Sequence, residues 1–180
     1  MNIYFAKTIL YAYPVIDEVI SQLDELVLKK AYSSMYDFSP AITQCEKIVD
    51  YSNQKGILLI LKKAVNEVLS TFSEEDILHL DYKFFKKKEP KEFVHFDYLS
   101  RNYFRRQIKI FDRFNEKIEK KGIDDCWFKQ NCLSVDFFRS LLKNVIEREE
   151  YSYKNKKAVD KKIKKEVSIK VNEIYKSIVA

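Results

Sequence analysis

Glycine and proline are almost missing: two glycines and three prolines in 180 residues, where average usage gives roughly 12 and roughly 9. A sandwich, barrel or doubly wound sheet needs many more turns than so few breakers can make, so the composition predicts an all-α protein. Cysteine is scarce as well. Three residues, Cys45, Cys126 and Cys132, are an odd number and suit reduced thiols in a cytoplasm better than a disulfide framework. The Cys126–Cys132 spacing lacks a CxxC partner and a nearby histidine, which argues against zinc and for packing roles. No apolar run approaches the ~20 residues needed to span a bilayer, and the opening MNIYFAKTILYAYPV is not patterned as a signal peptide. A cytoplasmic protein with no membrane partner is expected. The chain also lacks a glycine-rich phosphate loop, HExxH and GxSxG, so neither an enzyme nor a cofactor is expected.

What the chain has is charge, unevenly placed. Residues 1–82 hold 7 Lys/Arg against 12 Asp/Glu, and residues 83–121 hold 13 against 6. A second basic block, residues 154–170, carries 8 lysines against 2 acids. Two basic blocks in an otherwise acidic protein point to a polyanion.

Apolar residues recur at three and four through the first thirty positions (Ile9, Tyr13, Ile16, Ile20, Leu23, Val27), the period of an amphipathic helix with Pro14 as a restart or kink. Ser39-Pro40 signals another start, with Ile42, Cys45, Ile48 and Val49 on one face. Gly56 is a candidate interruption before the period resumes from Ile57 to Leu69, for one long helix or two in line ending near Phe72. Ser73 followed by Glu74-Glu75-Asp76 caps the next, its acids suited to the helix dipole. Pro90 opens a short helix over 90–96, Asp97-Tyr98-Leu99 turns, and Ser100 caps a helix whose stripe is Phe104, Ile108, Phe111, Asn115 and Ile118. Lys120-Lys121-Gly122 stops it. A short helix near 124–128 and another over 134–150 follow. The region 151–156 is a candidate boundary before a charged helix over about 155–178, whose narrow stripe (Val159, Ile163, Val167, Val171, Ile174, Ile178) suits a partner helix.

With Phe104 and Ile108 inward, the solvent side of the Ser100-capped helix carries Arg101, Asn102, Arg105, Arg106 and Lys109, with Tyr103 between the faces. Arginine and asparagine donate to base edges and phosphates, and the N-terminal half of a recognition helix is the part that enters the major groove. The candidate DNA-reading residues are Ser100, Arg101, Asn102, Tyr103, Arg105, Arg106 and Lys109, with Lys86, Lys87, Lys88 and Lys91 on backbone phosphates. His79 and His95 stand alone and read as structural.

Short helix, three-residue turn and capped helix make a helix-turn-helix. From Leu69 to Ile118 the chain resembles the sigma-factor region four type, including phage late-transcription regulators. The resemblance rests on SEEDILHLDY, the Lys/Pro connection, Glu92-Phe93 and Phe96, and arginines five and six residues after Ser100. It departs where Asp97 stands for a common glycine and where about sixty residues follow the module. The resemblance implies duplex DNA binding at a promoter or operator by a non-catalytic regulator of bacterial or phage origin.

The expected architecture is a helical bundle containing a helix-turn-helix: an interaction module over 1–72, the DNA-binding module over 73–121, and C-terminal helices over 122–180. The long charged helix at the end would join a homodimer. A second reading is a non-catalytic adaptor engaging RNA polymerase or another protein through the acidic half. RNA binding lacks a recognisable module.

Overall fold

The computed structural model describes residues 1–33, 41–85 and 101–151. Every regular element among them is helical, which makes the protein an all-α bundle. Helix α1 (Ile3–Ala12) is capped by the Asn2 side chain, which accepts from the Tyr4 N–H. Pro14 sits in a tight 3-10 turn, Tyr13–Val15, where its missing N–H costs no helical hydrogen bond. Helices α2 (Ile16–Ser33) and α3 (Ala41–Leu69) follow. They pack side by side and are stitched by Lys55 to Asp24 at 2.6 Å and Lys62 to Asp17 at 2.5 Å. Both pairs are partly or largely exposed and act as register marks more than as sources of stability.

Gly56 does not interrupt α3, which is one helix of 29 residues. It ends at Leu69 rather than Phe72, although Phe72 is still buried at the turn. The expected inward face of its N-terminal half is corrected more strongly. Ile42, Cys45 and Val49 are exposed, and Gln44 is the buried residue there. In this half the core lies on the α2 side, and the apolar stripe points away from it.

Helix α4 (Glu74–Leu80) begins as its sequence predicts, the Ser73 hydroxyl accepting from the Asp76 N–H. A π-helical turn, Asp81–Phe85, continues it and drives Phe84 into the core. Helix α5 (Arg101–Lys120) stops at Gly122, whose φ is +84°. The Ile123 N–H reaches the Ile118 carbonyl at 3.3 Å and the Gly122 N–H reaches that of Glu119 at 2.9 Å. Ile118 and Ile123 are both buried, so the stop carries both the bond pattern and the apolar clasp of a Schellman ending. Asp124 caps α6 (Asp125–Asn131) by accepting from the Trp127 N–H at 2.7 Å. A 3-10 turn, Cys132–Ser134, leads into helix α7 over residues 136–151.

The chain divides into two units, Met1–Leu142 and Lys143–Ala180. Within the first, the expected division at 72/73 does not separate two cores. Leu69 and Phe72 share one buried cluster with Leu80, Phe84, Phe114, Phe128 and Phe138. Aromatic rings link its parts: Phe5 stacks on Phe128 at 4.4 Å, Phe128 meets Phe138 edge-on at 6.0 Å, and Phe84 lies 6.4 Å from Phe111. Of the two cysteines assigned packing roles, Cys132 is buried and Cys126 is exposed. The helices expected over 90–96 and about 155–178, the turn at 97–99 and Ser39-Pro40 lie outside the described residues.

Phe114 and Phe128 are fully buried, and truncating either to alanine is expected to cost about 3 to 5 kcal/mol. Urea unfolding measures it. Because both lie in one cluster, each variant should lower a single cooperative transition of the first unit instead of melting part of it.

Candidate nucleic-acid interface on helix α5

Seven Lys/Arg stand against three Asp/Glu in α5, and its first ten residues contain four bases and no acid. The rotation of the helix decides which of them face outward. Tyr103, Ile110, Phe111, Phe114 and Ile118 form the buried side. Phe104 and Ile108, expected inside, are 52% and 59% exposed. This is a correction of helical phase: the buried line runs through 103, 110, 114 and 118, and Phe104 and Ile108 lie on its flank.

The opposite flank explains the choice. Asp76 sits in the first turn of α4 with its side chain 7% exposed, and its carboxylate accepts from Arg106 Nη2 at 3.2 Å and Arg113 Nη1 at 3.1 Å. Arg106 also pairs with Glu75 through its other nitrogen. Arg106 and Arg113 are seven residues apart, two turns along one face, so they clamp one carboxylate from two levels. Burial alone would raise the Asp76 carboxyl. The hydrogen bond from Arg106, the charge of Arg113 and the Ser73 contact outweigh it and hold the group below its ordinary value. The Arg106 guanidinium is raised in turn, first by its bond to Glu75.

Two further groups complete this side. His79 is buried with its ring 5.0 Å from that of Tyr103. Burial first, then the charge of Arg106, lowers its pKa, while Glu75 and Asp76 oppose the shift. Tyr103 accepts from Gln107 Nε2 at 2.6 Å, and burial followed by Tyr82 pushes its phenol up to about 12. Arg113 and Lys117 then lie over the Phe72 ring at 5.5 and 5.1 Å, favourable cation–π contacts.

The expected reading residues therefore separate. Arg105 and Lys109 are exposed, one turn apart on the outward face. Arg106 is turned to α4 and Tyr103 is buried in the bundle, so both hold the helix in place. Arg101 and Asn102 occupy the first turn of α5. Ser100, Lys86, Lys87, Lys88 and Lys91 lie outside the described residues. Sequence reasoning missed Asp76 and Arg113. The available signal is the acid-rich first turn of α4 together with an arginine pair at a seven-residue spacing, but the helix dipole by itself suffices to explain those acids.

Among the described residues no group of three or more His, Cys, Asp or Glu is placed to hold a metal ion, and no helix is long and apolar enough to cross a membrane. No protein-family model, curated protein or solved structure matches the chain.

Arg106→Ala should cost about 1 to 3 kcal/mol by leaving Glu75 and the buried Asp76 short of a charged donor, whereas Arg105→Ala should stay within about 0.5 kcal/mol. Urea midpoints at neutral pH separate them. The histidine gives a pH signature. Its folded pKa lies below the ordinary 6.5, so as pH falls the unfolded chain takes up the proton first and stability drops. The loss begins as pH falls through the unfolded value and is complete below the folded one. Stability measured at pH 8 and pH 5 is expected to differ less in His79→Gln than in the parent.

Proposed function

We propose that the protein is a duplex DNA-binding transcriptional regulator, similar to the sigma region four type, that presents the outward face of α5 to the major groove. The observation that carries this reading is the exposed Arg105 and Lys109 pair on a helix whose first two and a half turns contain no acid. Arg105 is the candidate base reader and Lys109 a phosphate contact. Phe104 and Ile108 beside them offer apolar contact of the kind that thymine methyl groups accept. Arg106 supports this role indirectly: pairing with Glu75 and Asp76 neutralises two of the three acids in the first turn of α4. The proposed role requires no cofactor and no catalytic step.

The same exposed pair, Phe104 and Ile108, favours a second reading as a non-catalytic adaptor for a protein partner such as RNA polymerase. Large exposed apolar side chains on a basic helix suit a protein groove as well as a DNA groove.

Fluorescence anisotropy with a mixed pool of labelled duplexes at two salt concentrations tests the first reading. The parent should bind in a salt-sensitive way. Arg105→Ala should lose about 1 to 3 kcal/mol on a selected site, and Lys109→Ala should weaken all sequences alike and reduce the salt slope by about one. No association at low salt with protein up to about 100 μM would refute DNA binding and leave the adaptor.

A further inference from the structure

Helix α3 has two sides of different character. Leu58, Leu61, Val65 and Val68 lie in the core. On the other side Ile42, Val49 and Ile60 are 70%, 56% and 55% exposed. Cys45, Ser52 and Gly56 fall between them at steps of three and four. The result is an uncharged seam about five turns long, with the spacing by which one helix packs along another.

Gly56 sharpens the point. Glycine inside a helix weakens it relative to alanine, and nothing among the described residues requires one here. A Cβ built at Gly56 would meet nothing within 4 Å. What a glycine on such a seam provides is close approach of a second backbone.

Charge identifies the occupant. Glu46 is exposed near the N-terminal end of the seam and Lys63 is exposed just past its C-terminal end. No salt bridge is seen for Glu46 among the described residues, and Lys63 engages only through its charge, which helps to hold the Glu67 carboxyl one turn further on below its ordinary value. A two-fold axis passing between Asn53 and Gly56 of an antiparallel helix pair sets Val49 against Ile60 of the second copy. It also brings Glu46 level with Lys63 of that copy. A parallel pair would set Glu46 level with Glu46 and align the two helix dipoles unfavourably.

We infer that the outward seam of α3 is a self-association surface on which a second copy of this chain packs antiparallel, with the helices crossing between Asn53 and Gly56. The inference does not rest on DNA binding, and it places the dimer contact within the first unit.

Sedimentation equilibrium without nucleic acid, from about 1 to about 100 μM protein, the range that resolves micromolar association, is the test. The parent should show a monomer–dimer equilibrium. Val49→Asp and Gly56→Leu should each raise its Kd at least about tenfold, the effect of losing one good apolar contact. Gly56→Leu should at the same time raise the urea midpoint of the dilute monomer, since leucine favours the helix and meets open space. Glu46→Lys should weaken the dimer about threefold, and Glu46→Lys with Lys63→Glu should recover it. Circular dichroism checks that each variant is folded. A parent that stays monomeric throughout, or a dimer indifferent to both Val49→Asp and Gly56→Leu, would overturn the inference. A charge exchange that fails to restore a dimer weakened by Glu46→Lys would overturn the antiparallel arrangement.

Discussion

The placement of α5 depends on one carboxylate. Asp76 is nearly excluded from water, and an ionised group in that position is tolerated only with strong donors around it. Two arginines from the same face of α5 supply them. Once they turn toward α4, the rest of the helix has no rotational freedom left. Tyr103 and Phe114 go inward, Phe104 and Ile108 lie at the flank, and Arg105 and Lys109 face solvent. The interaction is costly to bury and contributes little net stability by comparison with the aromatic core around it. Its effect is to choose one phase among several that the apolar pattern would allow.

That division of labour explains what could be read from the residues alone. Helix ends were legible because their signals are local: the Ser73 cap and the Gly122 stop each act within a few residues and appear as expected. The all-α class was legible from the shortage of glycine and proline. The phase of α5 was not. Residues 104, 108, 111, 115 and 118 make a stripe of helical period, and so do 103, 110, 111, 114 and 118. Periodicity cannot rank two stripes that overlap at both 111 and 118. The deciding group stands some thirty positions earlier in the chain, in an element whose acids already had a sufficient local explanation.

The candidate interface shows the same pattern at the scale of function. A cluster of adjacent arginines reads in one dimension as a single basic site. In three dimensions neighbouring residues of a helix diverge by about 100°, so Arg105 and Arg106 serve different ends, one facing solvent and the other facing α4. Counting charge along the chain therefore overstates the charge available to a ligand, and pairing within the fold sets the difference.

The length of α3 has a kinetic consequence. Its buried residues, Gln44 apart, run from Leu58 to Leu69, so the two halves of one continuous hydrogen-bonded rod are anchored very unequally. Local opening follows burial and contact density rather than secondary-structure boundaries. Amide protons of the first four turns can thus be released by fraying from the Ala41 end, whereas those near Val65 are released only when the core itself opens. A single helix accordingly contains both a labile and a global reporter of unfolding, and the step between them marks where the bundle begins to hold it.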